Sequence, residues 1–271
     1  MRSPQNATVL VTGAGRGIGK RLSIGFAHAG CRVGLLGRHQ GELDVTKLEI
    51  EDAKGTALRL RADVSSFEEI SAAVERMTTV WGAVHTLVAN AGVLGPLGPF
   101  ADQKAGQWRE VFETNVLGVM NAVRAVLPQM IQRRSGKILV VSGIGAASPR
   151  PGFAPYAASK AAVVRFVETV AEEVRDHNVQ INSLFPGESY SNMTDEILRA
   201  THALAPEELE SAERVRLTGG IAPEKQIQLA LFLASERSNH ITGKLIYAQD
   251  DWKKLENDNC RPDAFTLRRH K

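Results

Sequence analysis

Cysteine is nearly absent. The 271-residue sequence has two, Cys31 and Cys260, too few for a disulfide framework and without metal-ligand spacing. Both are expected to be reduced thiols, as in a cytoplasmic protein. An excess of one charge is lacking as well: 33 basic residues stand against 30 acidic ones, and a net charge of +3 is too small to imply a nucleic-acid-binding surface. The one local excess, Leu267-Arg268-Arg269-His270-Lys271, reads as a solvated tail. No apolar run approaches the ~18 residues of a membrane helix, and Met1-Arg2-Ser3-Pro4-Gln5-Asn6 contains no apolar leader. Repeats, low-complexity stretches and Pro/Ser-rich linkers are missing too. What remains is an ordinary globular composition, 43% hydrophobic and 23% charged, long enough for one large α/β domain.

Short apolar segments alternate with helical spacing along nearly the whole chain. Strands are expected over 7–11, 32–36, 56–62, 85–89, 137–141, 179–185 and 245–248. Helices are expected over 18–29, 42–53, 67–80, 108–131, 156–177 and 223–234, with polar, mostly helical material over 193–216. The strands are mostly apolar rather than alternating, which predicts a doubly wound parallel sheet with helices on both faces. Ser65 with Glu68 has the pattern of a capping box at the start of the third helix. The chain is expected to form a single domain over 1–271, with its core at about 7–248 and a tail at 249–271.

The first strand runs into Thr12-Gly13-Ala14-Gly15-Arg16-Gly17-Ile18-Gly19. After a strand, such a turn offers backbone N–H groups and a helix N-terminus to a pyrophosphate, and glycines let the backbone approach it. Gly13, Gly17 and Gly19 are spaced more loosely than the dinucleotide fingerprint, so a plain tight turn is the competing reading. The second strand ends Leu35-Leu36-Gly37-Arg38, with no carboxylate at its tip. Arg16 and Arg38 therefore suit a 2′-phosphate, and NADP(H) is the expected cofactor, with NAD(H) as the alternative. Asp63, followed by Val64, closes the third strand and either meets the adenine or caps a turn. Asn90-Ala91-Gly92 ends the next strand, where ligands of open α/β sheets gather.

Tyr156 and Lys160 are four apart, on one face of a helix. Free tyrosine titrates at about 10, too high for proton transfer at neutral pH. An ammonium beside it favours the tyrosinate and is expected to draw the value down. The pair would then handle the proton in carbonyl–alcohol interconversion.

These residues together resemble the short-chain dehydrogenase/reductase family, over roughly residues 7 to 248. The resemblance rests on Thr12-Gly13, Gly17, Gly19, Asp63, Asn90-Ala91-Gly92, Asn115, Tyr156, Lys160 and Pro186-Gly187. It implies a Rossmann-type fold with a seven-stranded parallel sheet, a nicotinamide cofactor, and a homotetramer or homodimer. It implies that Tyr156 exchanges the substrate proton, that Lys160 lowers its pKa and binds the ribose, and that Asn115 holds a water in a relay. It places Pro186 and Gly187 beside the nicotinamide, with Ser191 standing where a carboxamide-binding threonine is usual.

One departure stands out. The family's catalytic serine lies thirteen residues before the tyrosine, and here that position is Gly143. Ser142 comes one residue early, which on a strand turns a side chain to the opposite face unless the backbone bulges. Ser142 is the candidate donor, Ser148 a third possibility, and Gly143→Ser the substitution expected to restore one. The gap also admits a non-redox or weakly active protein on this fold: a nucleotide-binding regulator, an isomerase or a lyase. A second departure is Tyr247-Ala248-Gln249-Asp250-Asp251-Trp252, where Trp252 adds bulk either near the substrate or in a packed tail.

Overall fold

Residues 9–11, 33–36, 87–89 and 138–140 are apolar, or glycine in one case, and almost fully shielded from water. Runs buried on both faces can only be central strands of a covered parallel sheet. The computed structural model describes residues 6–200, 204–256 and 263–267. Cys260 and the basic run 268–271 lie outside them.

The elements alternate strictly at first: β1 (Thr8–Thr12), α1 (Gly17–His28), β2 (Arg32–Gly37), α2 (Gln40–Asp52), β3 (Thr56–Arg61), α3 (Phe67–Trp81) and β4 (Thr86–Ala89). Then come α4 (Ala105–Phe112), a π-helical turn (Glu113–Leu117), α5 (Gly118–Gln132), β5 (Gly136–Val141), α6 (Ala154–Glu173) and β6 (Val179–Phe185). Two further helices, α7 (Asn192–Arg199) and α8 (Pro206–Thr218), precede α9 (Pro223–Leu233) and β7 (Leu245–Tyr247). All seven strands are parallel, in the order β3-β2-β1-β4-β5-β6-β7. The direction of winding reverses between β1 and β4, which opens a crevice beyond their carboxyl ends.

Alternate residues of one strand serve opposite faces. Leu10, Ile138 and Val140 join α3, α5 and α6 in one core, while Val9, Val11, Leu139 and Val141 join α1 and α9 in the other. The tail belongs to the second core: Trp252 is buried and stacks on Phe232 with ring centroids 5.0 Å apart. Residues 263–267 run along the edge of the sheet, where Phe265 O accepts from Leu245 N–H at 2.7 Å.

Two local expectations are corrected. The helix expected over 108–131 is interrupted by the π turn, which sets an extra residue into the spiral at Asn115. The cap of α3 is Ser66, not Ser65: Ser66 Oγ accepts from Glu69 N–H at 3.2 Å. Ser65 instead gives its N–H and hydroxyl to Asp63 Oδ1, at 2.9 and 2.8 Å, in a turn that places the helix start one residue later.

Candidate active site

The glycine turn is held from β4. Thr12 Oγ1 accepts the N–H groups of Asn90 and Ala91, both at 3.0 Å, and Asn90 Nδ2 donates to Thr12 O and Gly13 O at 2.9 and 3.3 Å. Asn90 is thus committed to the backbone of the turn, though it also borders the groove. Gly13 and Gly17 have φ of +65° and +55°. A Cβ at Gly13 would lie 2.9 Å from Asn90 Nδ2, and one at Gly19 would strike Gly13 O. Helix α1 then starts from Arg16 with no side-chain cap and no acid in its first turn, so its leading N–H groups are left for an outside anion. Gly13, Gly17, Ile18, Val64 and Gly92 line the groove this creates. The residues fit a dinucleotide.

At the groove's outer end sit Arg16 and Arg38, with His39 and Glu42. Neither arginine is unopposed: Arg16 Nη1 lies 3.4 Å from Glu42 Oε1, and Arg38 Nη1 3.6 Å from Asp63 Oδ2. Burial tends to raise the Asp63 pKa; the Ser65 N–H and hydroxyl and the Arg38 guanidinium outweigh it and hold the carboxyl below its usual range. Asp63 therefore serves the turn and Arg38.

A second cleft continues from the first, sharing Ile18, Ser191 and Met193 with it. It is walled by Leu94, Ile197, Ala212 and Val215 and holds Ser142, Gly143, Tyr156, Pro186 and Gly187. Ser191 stands at the junction, at the start of α7, where its N–H donates to Thr194 Oγ1 at 3.2 Å. Asn115 is wholly buried; it accepts from Val93 N–H at 2.8 Å and donates to Val93 O at 2.9 Å and Ser159 Oγ at 3.0 Å. Gly92 leaves the space between Asn115 Oδ1 and Lys160 Nζ open.

The Tyr156–Lys160 pair departs from expectation. Lys160 Nζ donates to Val141 O at 3.0 Å and lies 5.6 Å from the Tyr156 ring centroid. Burial pushes the Tyr156 pKa up to about 12, with Arg150 the opposing charge, and pushes Lys160 down to about 8. The ammonium serves a backbone carbonyl, so the expected depression of Tyr156 is absent and desolvation prevails.

Around the serine position the backbone continues as a strand. Ser142 N–H donates to Leu184 O at 2.9 Å, so the strand pairing continues without a bulge. The side-chain direction that meets the Tyr156 hydroxyl is that of residue 143. Ser142 Oγ is buried with no hydrogen-bond partner among the described residues, and Ser148 is exposed and away from the cleft.

Sequence reasoning missed several residues here. Arg150, in the loop after β5, holds Glu208 of α8 through Nε and Nη2 at 3.1, 3.2 and 2.7 Å. Gln226 of α9 is buried and donates to Pro186 O at 2.9 Å and to Ser189 Oγ, bracing the segment after β6. Glu42 faces Arg16 from α2. These partners are 26 to 58 residues apart, beyond any local period.

Residues 7–202 match the short chain dehydrogenase family. The chain is 30% identical over 245 residues to a 3-oxoacyl-[acyl-carrier-protein] reductase, FabG, of Staphylococcus epidermidis, covering 89% of this chain and 97% of that protein. It is similar to a gluconate 5-dehydrogenase from Burkholderia cenocepacia in complex with NADP and tartrate, with a TM-score of 0.80, 26% identity, and coverage of 90% and 93%. It is also similar to a Brucella melitensis 3-oxoacyl-[acyl-carrier protein] reductase with bound NAD, with a TM-score of 0.77, 28% identity, and coverage of 90% of each chain. The non-redox alternative is not favoured. The chain belongs to the short chain dehydrogenase family and is an oxidoreductase that uses a nicotinamide cofactor.

Proposed function

We propose that this enzyme interconverts a carbonyl compound and a secondary alcohol with NADP(H) in preference to NAD(H), and that Tyr156 carries the substrate proton. The observation that carries the reading is the continuity of the two clefts: the glycine groove runs past Ile18 and Ser191 into the cleft that holds Tyr156.

The nicotinamide, when bound, gives or takes the hydride. Gly13, Arg16, Gly17 and Ile18 hold the pyrophosphate end, Gly19 lets α1 pack close against the turn behind them, and Val64, Asn90 and Gly92 border its path. Pro186, Gly187 and Ser191 orient the nicotinamide end. Tyr156 gives its hydroxyl proton to the oxygen in reduction and recovers it in oxidation. Lys160 and Asn115, both buried behind Gly92, serve the relay that refills it: the Lys160 ammonium supplies the proton and Asn115 holds a relay water. With glycine at 143, the substrate oxygen receives no hydroxyl from the usual position, and the absence of one such donor typically costs about 10²–10³ in kcat.

Arg16 and Arg38 support the NADP(H) preference. Each keeps about half of its side-chain surface exposed, 53% and 47%, and their ion pairs are long enough to yield to a phosphate. The apolar wall of the second cleft suits a substrate with a hydrocarbon body. Assembly as a homodimer or homotetramer and a cytoplasmic location complete the proposal; a monomeric mass by light scattering at micromolar concentration would overturn the former. Among the described residues no helix is long and apolar enough to cross a membrane. The activity is tested by following loss of NADPH absorbance with a panel of ketones. Turnover of at least one is expected; firm NADPH binding with no turnover of any ketone or alcohol would overturn the assignment.

A further inference from the structure

We propose that the Arg150–Glu208 pair is a specificity-determining element that restricts the cleft of Tyr156 to carbonyl substrates without negative charge. The inference rests on the reading of that cleft as the substrate site.

Among the described residues, three charged side chains line the cleft: Arg150, Glu188 and Glu208. Arg150 is the one cation of the three, and Glu208 has taken it. Arg150 Nε lies 3.1 and 3.2 Å from the two Glu208 oxygens, and Nη2 lies 2.7 Å from Oε2. This is the contact by which an arginine would otherwise hold the carboxylate of a substrate. The guanidinium is fixed from behind as well. It lies over the Phe153 ring, 3.7 Å from its centroid, and Phe153 packs in one cluster with Leu94, Tyr156, Ile197 and Ala212. Only 9% of the Arg150 side chain and 23% of the Glu208 side chain are exposed, so water and salt screen the pair poorly.

No other cation of the lining replaces it. Glu188 accepts from Ser211 Oγ at 2.9 Å and faces Arg214 Nη2 at 3.5 Å, but the Arg214 side chain is 63% exposed and does not border the cleft. Lys160 is turned to Val141 O and does not border it either. One arginine against two glutamates leaves the lining with a net charge of −1. An anionic substrate would shed its water into a cleft whose remaining wall is largely apolar. It would meet two carboxylates and an arginine already neutralised. A neutral ketone bears neither cost. Selection then comes from repulsion built into the wall, not from an added attractive contact.

The test compares methyl-ketone carboxylic acids of increasing chain length with their primary amides, which match them in size and lack the charge. At neutral pH the parent enzyme should reduce the amides with higher kcat/KM than the acids, the gap reaching about 100-fold within the series. Glu208→Ala releases the guanidinium to the substrate. The acid-to-amide ratio of kcat/KM should rise by roughly 10- to 100-fold, as for one charge-assisted contact. Arg150→Met leaves the carboxylates unopposed and should lower that ratio further. A pair that only latched α8 in place would move acid and amide together and leave the ratio unchanged. Thermal unfolding gives a readout without turnover: hexanoate should raise the Tm of Glu208→Ala more than hexanamide does, and that of the parent enzyme less. Equal use of acids and amides by the parent enzyme, or an unchanged or lower ratio in Glu208→Ala, would overturn the inference. Should Glu208→Ala fail to fold, Glu208→Gln, which keeps the shape and removes the charge, decides by the same ratio. The carbonyl–alcohol reading fails separately, if NADPH binds and no neutral ketone is turned over; the thermal shifts then still judge the charge preference of the cleft.

Discussion

The Tyr156 hydroxyl fills the space in front of Gly143. A Cβ built at 143 would collide with the hydroxyl oxygen and lie 3.1 Å from Cζ. The missing side chain is what lets the tyrosine reach this position, so glycine and tyrosine here form one steric unit. Gly143→Ser, expected from sequence to restore a donor, should instead displace Tyr156. A fall in kcat of roughly tenfold or more is expected, since small misplacements of a reacting group are costly. Gly143→Ala should show the same loss without adding a hydroxyl. Steady-state kinetics on both variants is the check, and a gain in kcat for Gly143→Ser would refute the steric reading.

Tyr156→Phe removes the proton carrier and leaves the glycine groove untouched. Its kcat should drop by about 10²–10⁴. The dissociation constant for NADPH, measured by fluorescence titration, should stay close to the parent value.

Cofactor preference should reside at Arg38 and Arg16. A charge-assisted contact to phosphate is worth ~1.5–3 kcal/mol, so Arg38→Ala should weaken NADPH by roughly 10- to 100-fold while barely moving NADH. Calorimetric titration of both cofactors measures it. Tighter binding of NADH than NADPH by the parent enzyme would remove the basis for this preference.

Thr12 is 2% exposed, and its hydroxyl accepts two backbone N–H groups from the end of β4. Thr12→Val keeps the shape and strands both donors. The expected cost is about 1–3 kcal/mol in urea unfolding, with weaker cofactor binding because the turn loses its brace. Thr12→Ser should behave nearly as the parent.

Lys137 of β5 is buried, with Nζ 3.2 Å from Ser238 Oγ. Burial pushes its pKa down to about 7, against the pull of Glu236. An unfolded lysine titrates at about 10.4. Between these values the unfolded chain holds a proton that the native one has released, so stability rises with pH from about 7 to 10, by up to ~1.4 kcal/mol per pH unit. Below about 7 both states are protonated and this gain is gone. Lys137→Met should flatten the rise; urea midpoints taken across that pH range test it.

The fold was legible because its signals are local. Apolar runs, the glycines after β1 and the alternation of periods specify a covered parallel sheet from short windows of sequence. The π turn was not, because the extra residue at Asn115 is selected by bonds to Val93 and Ser159, 22 and 44 residues away. The cap of α3 moved by one residue because Asp63 competes for Ser65.

At the site, the sequence by itself determined which chemistry-bearing groups are present: Tyr156 and Lys160 one helical turn apart, the glycine turn, and the lack of a hydroxyl at 143. These follow from residue identity and spacing, which the covalent chain carries. Only the tertiary structure decided what charge each group feels. Lys160 is turned to Val141 O, Arg38 is met by Asp63 and Arg16 by Glu42, and Arg150 is brought into the cleft of Tyr156, where Glu208 of α8 pairs with it. A pKa is a property of surroundings, set by desolvation and by charges from distant parts of the chain, and those surroundings exist only once the sheet and its helices have closed.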